Sequence, residues 1–384
     1  MMKALFLSVK AGYGHHSTAK AMIDYFQERG VECKMLDIFE YLSRHLGNSI
    51  QDGYLISTKY LSDAYGKVYN TLAKKDVPYD KLSPVAIVSQ LVSKKLERYV
   101  EDFGADFIVG THSYAAIVMT VLARRGIISC PTIGIVTDFT VHPFWESSDL
   151  DYYVIPDALL SRQMQKKGIA QHKILPFGIP VKEGFSMRVP QDLARVRLEL
   201  EDLPTVLVMM GSMGFGNIIK SLEQMDAFPG DFQIICVCGN NQRMKRSIDK
   251  RIWRKKMHSL GFVNYVDLLM DAADVIVTKP GGLTTSESMA KGLPLILMNP
   301  IPGQEERNME FLTNNGAAVM VNATFPVDEA LYQIFNCPWR LELMKQSVAH
   351  LGKPNATRDL YDFIMAILER KQAVFKAKAP AVQI

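Results

Sequence analysis

The residues best suited to chemistry lie between Asp274 and Asn308. Pro280, Gly281 and Gly282 follow a short apolar run, Val275 to Val277, and Thr284, Thr285 and Glu287 come directly after. A glycine turn lets the backbone close on an anion, and a helix starting there offers free N–H groups and about half a positive charge. A diphosphate is the natural guest. A second apolar run, Leu293 to Leu297, leads to Gln304, Glu305, Glu306, Arg307 and Asn308. Open α/β sheets bind ligands at the carboxyl ends of their strands. Carboxylates and amides there suit a polyhydroxyl ligand, because hydroxyls donate to the former and exchange hydrogen bonds with the latter. Thr284-x-x-Glu287 also has the spacing of a capping box, in which Glu287 would bind only its own helix. The pattern alone leaves both readings open.

Two further glycine loops share this plan. Gly12-Tyr13-Gly14-His15-His16-Ser17 follows the run Leu5 to Val9, and Gly211-Ser212-Met213-Gly214-Phe215-Gly216 follows Thr205 to Met210. The first is not a Walker A loop, since it lacks the Lys-Ser/Thr pair, and it is a degenerate dinucleotide fingerprint. His15 stands directly after Gly14, where backbone can lie close to a ligand. An imidazole near its ordinary pKa, about 6.5, can take a proton at neutral pH. Asp149-Leu150-Asp151 could hold a metal in another context, but it precedes a strand and has no supporting ligands. It reads as loop charge, and no metal is expected.

These motifs together carry a resemblance. Pro280-Gly281-Gly282-x-Thr284-x-x-Glu287-x-x-x-x-Gly292-x-Pro294, followed by Pro302-Gly303-Gln304-Glu305, resembles the donor site of GT-B glycosyltransferases. Thr137-Asp138-Phe139, His142 and Trp145 match the diacylglycerol sugar transferases among them, bacterial processive glucosyltransferases and plant monogalactosyldiacylglycerol synthases. The resemblance implies an inverting transfer of glucose or galactose from a UDP-sugar to diacylglycerol or a glycosyl-diacylglycerol. It places His15 at the acceptor oxygen as base, with Asp138 to orient it and His142 on the active-site rim. Gly12, Gly14 and His16 belong to the acceptor loop, and His16 has no catalytic equivalent. Gly211, Ser212, Gly214, Gly281, Gly282, Thr284 and Thr285 would surround the UDP-sugar. Phe262 and Val263 would meet the uracil, Glu287 the ribose, and Gln304, Glu305 and Asn308 the sugar side. No cofactor is implied, the UDP-sugar being a substrate. The rivals are a GT-B transferase with a non-lipid acceptor, a UDP-sugar 2-epimerase and a non-catalytic UDP-sugar sensor.

The implied fold is α/β: two doubly wound domains facing a cleft. Residues 1–180 would form the acceptor and membrane-binding domain, residues 190–350 the donor domain, and a helix over 355–370 would return to the first. A length of 384 residues with 48% hydrophobic content is enough for two such cores. Strands are expected at Lys3–Val9, Val31–Leu36, Ala105–Thr111, Pro131–Val136 and Tyr152–Ile155. A second set is expected at Thr205–Met210, Gln233–Cys238, Ser259–Phe262, Val275–Val277 and Leu293–Leu297. Helices are expected from Thr18 and from Thr284 or Thr285, and a basic one from Gly239 to about Lys256.

Composition limits the setting. Five cysteines without a C-x-x-C pair argue against zinc or disulfides and for a reducing compartment. There is no signal-peptide pattern and no apolar run of about 18 residues. A net charge of +4 does not imply nucleic acid. The segment Asp37 to Val100 interleaves Tyr54, Tyr60, Tyr65, Tyr69 and Tyr79 with Lys59, Lys67, Lys74, Lys75 and Lys81, followed by Lys94, Lys95 and Arg98. Such a mixture suits the interface of an anionic bilayer, and equally a packed helix with a solvated lysine face. The expected location is peripheral, on the cytoplasmic face of the cell membrane.

Overall fold

The computed structural model describes residues 1–9, 14–38, 40, 41, 92, 94–211 and 218–378. Gly12, Ser212, Gly214 and the tyrosine–lysine segment up to Lys81 lie outside the described residues.

The first sheet holds β1 (Lys3–Ser8), β2 (Glu32–Asp37), β3 (Phe107–Gly110), β4 (Thr132–Ile135), β5 (Tyr152–Val154) and β6 (Ile174–Leu175) in the order β2-β1-β3-β4-β5-β6. The second holds β7 (Thr205–Met209), β8 (Gln233–Val237), β9 (Met257–Leu260), β10 (Val275–Thr278), β11 (Leu295–Leu297) and β12 (Ala318–Met320) in the order β12-β11-β10-β7-β8-β9. Every pairing is parallel. Parallel strands are covered on both faces, so they read as continuous apolar runs. Ala4 to Leu7 and Leu295 to Leu297 are fully buried accordingly. β6 and β12 went unread because runs of two and three residues carry no periodicity.

Strand order reverses between β1 and β3 in the first sheet and between β10 and β7 in the second. At a reversal, the connections leave to opposite faces of the sheet and open a crevice outside the strand ends. Among the described residues, His15 after β1 meets Thr111 after β3, and a Cβ on Gly14 would lie 4.0 Å from that of Leu283 after β10, so these strand ends face one cleft.

The helices α1 (Gly14–Gln27), α2 (Ser113–Arg124), α3 (Gly282–Ala290) and α4 (Gln304–Asn314) follow these strand ends, and α5 (Ala356–Lys378) packs on the first sheet. Two start earlier than the sequence suggested. α1 begins at Gly14 rather than Thr18, which puts His15 and His16 in its first turn. α3 begins at Gly282 with Gly281 as its cap residue, so neither Thr284 nor Thr285 caps it. The basic helix stops at Asp249, and β9 sits two residues earlier than expected, leaving Phe262 and Val263 in the loop beyond it.

Leu360, Ile364 and Leu368 of α5 join Phe6, Phe26, Phe107 and Ile135 in one apolar cluster of the first sheet. The chain before the second sheet is fixed to that sheet by Lys291, whose ammonium bonds Asp271 at 2.7 Å and the carbonyl of Met187. Leu360 is fully buried, so Leu360→Ala should cost about 2–5 kcal/mol of unfolding free energy. Denaturant titration measures this, and a loss below about 1 kcal/mol would mean that α5 contributes little to the core.

Candidate functional site

Thr137, Asp138 and Phe139 connect the two sheets. The carbonyl of Thr137 lies against the start of α3, where a Cβ on Gly282 would come within 1.9 Å of it. A glycine at 282 is therefore required by the approach of the other domain's backbone. Asp138 accepts hydrogen bonds from Nε2 of Gln304 and, at 2.9 Å, from Nδ2 of Asn308. Asn308 is fully buried and also accepts from the N–H of Phe139 at 2.8 Å and donates to the carbonyl of Pro280 at 3.0 Å. Asn308 thus joins the two domains.

His15 stands at the first turn of α1, facing the start of α3. Its Nδ1 lies 2.8 Å from the carbonyl of Thr111 and 2.9 Å from Oγ1 of Thr137. A carbonyl can only accept, so Nδ1 carries the proton and Nε2 keeps its lone pair. Desolvation lowers the His15 pKa below its ordinary value, against the opposing charge of Asp138 and the bond to Thr111. Asp138 thus acts on His15 through its field, while Thr111 and Thr137 do the orienting that the sequence reading gave to Asp138.

Two other imidazoles are nearby with the opposite arrangement. His112, unmarked in the sequence, packs edge-on against His15 at 4.6 Å, and its Nδ1 accepts from the N–H of Tyr114 at 3.1 Å. His142 caps a short turn by accepting from the N–H of Phe144 at 3.1 Å. Desolvation holds the pKa of His112 well below 6.5 and that of His142 at about 4. Each uses its lone pair on backbone, so His15 alone presents a bare Nε2. His16 ties the sheet together. Thr111 donates to Ser8 at 2.9 Å, Ser8 meets Nδ1 of His16 at 3.0 Å, and Nε2 of His16 lies 3.3 Å from Asp37.

On the second sheet, Gly211 has φ of +76°, a conformation that suits glycine, and the Lys279 side chain passes 3.1 Å from where its Cβ would be. Lys279, which the sequence reading also passed over, donates to Oε1 of Glu305 at 2.6 Å. The other oxygen of Glu305 accepts from the N–H of Ile301 at 2.9 Å. Glu306 accepts from the N–H of Gly303 and so caps α4. Thr285 donates back to the carbonyl of Gly281 at 2.9 Å, inside its own helix, and is buried. Thr284 is half-buried in the first turn of α3, and a Cβ on Gly14 would lie 4.0 Å from that of Leu283 across the cleft.

Glu287 answers the capping-box question. With α3 starting at Gly282, it sits a full turn beyond the first N–H groups and cannot cap them. Its carboxyl bonds no described residue. Burial pushes its pKa up to about 8, with Asp267 raising it further and Lys182 opposing. Glu287 is half-buried and its oxygens are not among the sealed, unpartnered ones, so a donor-rich ligand can reach this carboxyl.

Two all-parallel six-stranded sheets meeting at a cleft make this a GT-B fold, and the family matches make the chain a glycosyltransferase. The first half of this enzyme, residues 15–181, matches the monogalactosyldiacylglycerol (MGDG) synthase family, and residues 205–358 match the glycosyltransferase family 28 C-terminal domain. A processive diacylglycerol beta-glucosyltransferase of Bacillus licheniformis is 27% identical over 378 residues, spanning 96% of this chain and 97% of its own. Among solved structures, MurG of Acinetobacter baumannii superposes with a TM-score of 0.58 at 16% identity, over 95% of this chain and 99% of its own. MnaA of S. aureus, solved with UDP, gives 0.60 at 12% identity, over 96% and 97%.

The Glu287 pKa makes stability depend on pH. Its folded value, about 8, lies above the ordinary 4.5, so the folded chain holds the proton more tightly. This favours the folded state below about pH 4.5 and is lost as pH rises through about 8. Glu287→Gln should therefore flatten the fall of Tm between pH 5 and 8 and raise Tm at pH 8. A parallel Tm profile for the two proteins would contradict the raised pKa.

Proposed function

We propose that this enzyme transfers glucose or galactose from a UDP-sugar to the hydroxyl of diacylglycerol or a glycosyl-diacylglycerol, with inversion, at the cytoplasmic face of the membrane. The observation that carries the reading is the lone pair left on Nε2 of His15, at the junction of α1 and α3, by the bond of its Nδ1 to the Thr111 carbonyl. The acceptor hydroxyl gives its proton to this nitrogen as its oxygen bonds to the anomeric carbon. The bond from that carbon to the UDP oxygen breaks, and its electron pair leaves on the diphosphate. One displacement inverts the centre. Lys279 and the N-terminus of α3 supply positive potential for the departing charge. The ribose hydroxyls donate to Glu287, which favours its ionised form. Gln304 and Glu305 are the sugar-side contacts, and their present bonds to Asp138 and Lys279 must rearrange or be shared when donor binds. The lipid acceptor is supported by the MGDG synthase match and by the name of the B. licheniformis relative. Among the described residues no helix is long and apolar enough to cross a membrane, and the basic tyrosine-rich segment is the proposed contact with an anionic surface.

This reading favours no metal, since a lysine and a helix terminus flank the diphosphate position. Activity should persist in EDTA, and loss restored by magnesium or manganese would overturn this part. His15→Ala should lower kcat by about 10²–10⁴-fold, the usual contribution of a positioned base. His16→Ala should lower Tm but change kcat much less, because His16 links Ser8 to Asp37. Wild-type kcat/KM should fall as pH drops through a value below 6.5, where His15 takes up its proton. Near-normal turnover in His15→Ala would move the base elsewhere.

A further inference from the structure

A groove of about 530 Å³ opens beside the transfer site, between α4 and the turn after Asp138. One wall is a single stripe of α4, with Gly303, Arg307, Phe311 and Asn314 three or four residues apart. The facing wall is Phe139, Thr140 and Gln163. Half-buried Phe311, backed by the buried ring of Phe139 at 5.2 Å and 25°, forms a small aromatic patch within otherwise polar walls. The size is that of a small-ligand pocket, and such pockets combine an apolar surface with a few convergent polar groups.

The chemistry of the walls selects among guests. A phosphate would meet the carboxylates of Glu306 and Glu310. An acyl chain would strip water from Arg307, Asn314 and Gln163 and return no hydrogen bonds. A pyranose ring has an apolar C–H face for the aromatic patch. Its hydroxyls form an edge that donates to carboxylates and accepts from amides and guanidinium. The groove also adjoins the transfer site directly. Asp138 and Gln304 bond to each other on the transfer side, and their chain neighbours Phe139 and Gly303 line the groove.

We propose that this groove is a carbohydrate subsite that holds the glycosyl headgroup of a glycosyl-diacylglycerol acceptor. This rests on the lipid-acceptor reading above. Diacylglycerol itself has no sugar to place there, so the subsite favours addition of a second sugar over the first.

Octyl β-glucoside below its micellar concentration is the probe. Calorimetry should show it binding to the wild-type chain and to His15→Ala, and binding about tenfold more weakly to Arg307→Met and Asn314→Ala. Unchanged UDP affinity and Tm in those two variants show that they are folded. With lipid acceptors, both variants should raise KM about tenfold for glucosyl-diacylglycerol and leave KM for diacylglycerol unchanged. No glucoside binding to the wild type, equal binding to the variants, or equal effects on both acceptors would overturn the subsite. If the glucoside binds through Arg307 and Asn314 while wild-type enzyme glycosylates no diacylglycerol, the subsite stands and the lipid reading fails.

Discussion

The site depends on the carboxylate of Asp138 reaching across the cleft to two amides of α4. It belongs to the first domain, and Gln304 and Asn308 belong to the second. Hydrogen bonds to a charged acceptor are among the stronger ones, and leaving a buried carboxylate unpaired costs more than making the bond gains. The clasp brings the Thr137 carbonyl onto Gly282, which only a glycine permits. The start of α3 also faces the start of α1 across the cleft, a Cβ on Gly14 lying 4.0 Å from that of Leu283.

Hydrogen-bond direction decides which imidazoles of the cluster keep a lone pair. Three imidazoles share one desolvated region, and burial lowers the pKa of all three. Two accept from backbone N–H groups and lose their lone pairs to structure. The third donates to a backbone carbonyl and keeps one. The same logic divides the carboxylates of the second domain. Glu306 caps α4 and Glu305 balances Lys279, whereas Glu287 bonds no described residue. Groups already satisfied by the fold are less available to a ligand.

The sequence by itself determined where the chemistry-bearing residues would stand. Apolar runs followed by glycines mark strand ends, and a parallel sheet collects strand ends on one side, so Gly211, Gly281 and His15 were legible as lining one cleft. It also determined two α/β domains, because strand, turn and helix alternate locally. Helix starts were misjudged by two to four residues at α1 and α3, where glycine and histidine carry weaker signals than the threonines further on. Only the tertiary structure decided the roles. Thr111 lies 96 residues from His15, and Asn308 lies 170 from Asp138. Whether an imidazole is a base or a strut, and whether an amide meets a ligand or the other domain, depends on partners that no local pattern names. Hydrogen bonding acts over about 3 Å in space, and separation along the chain carries no information about it.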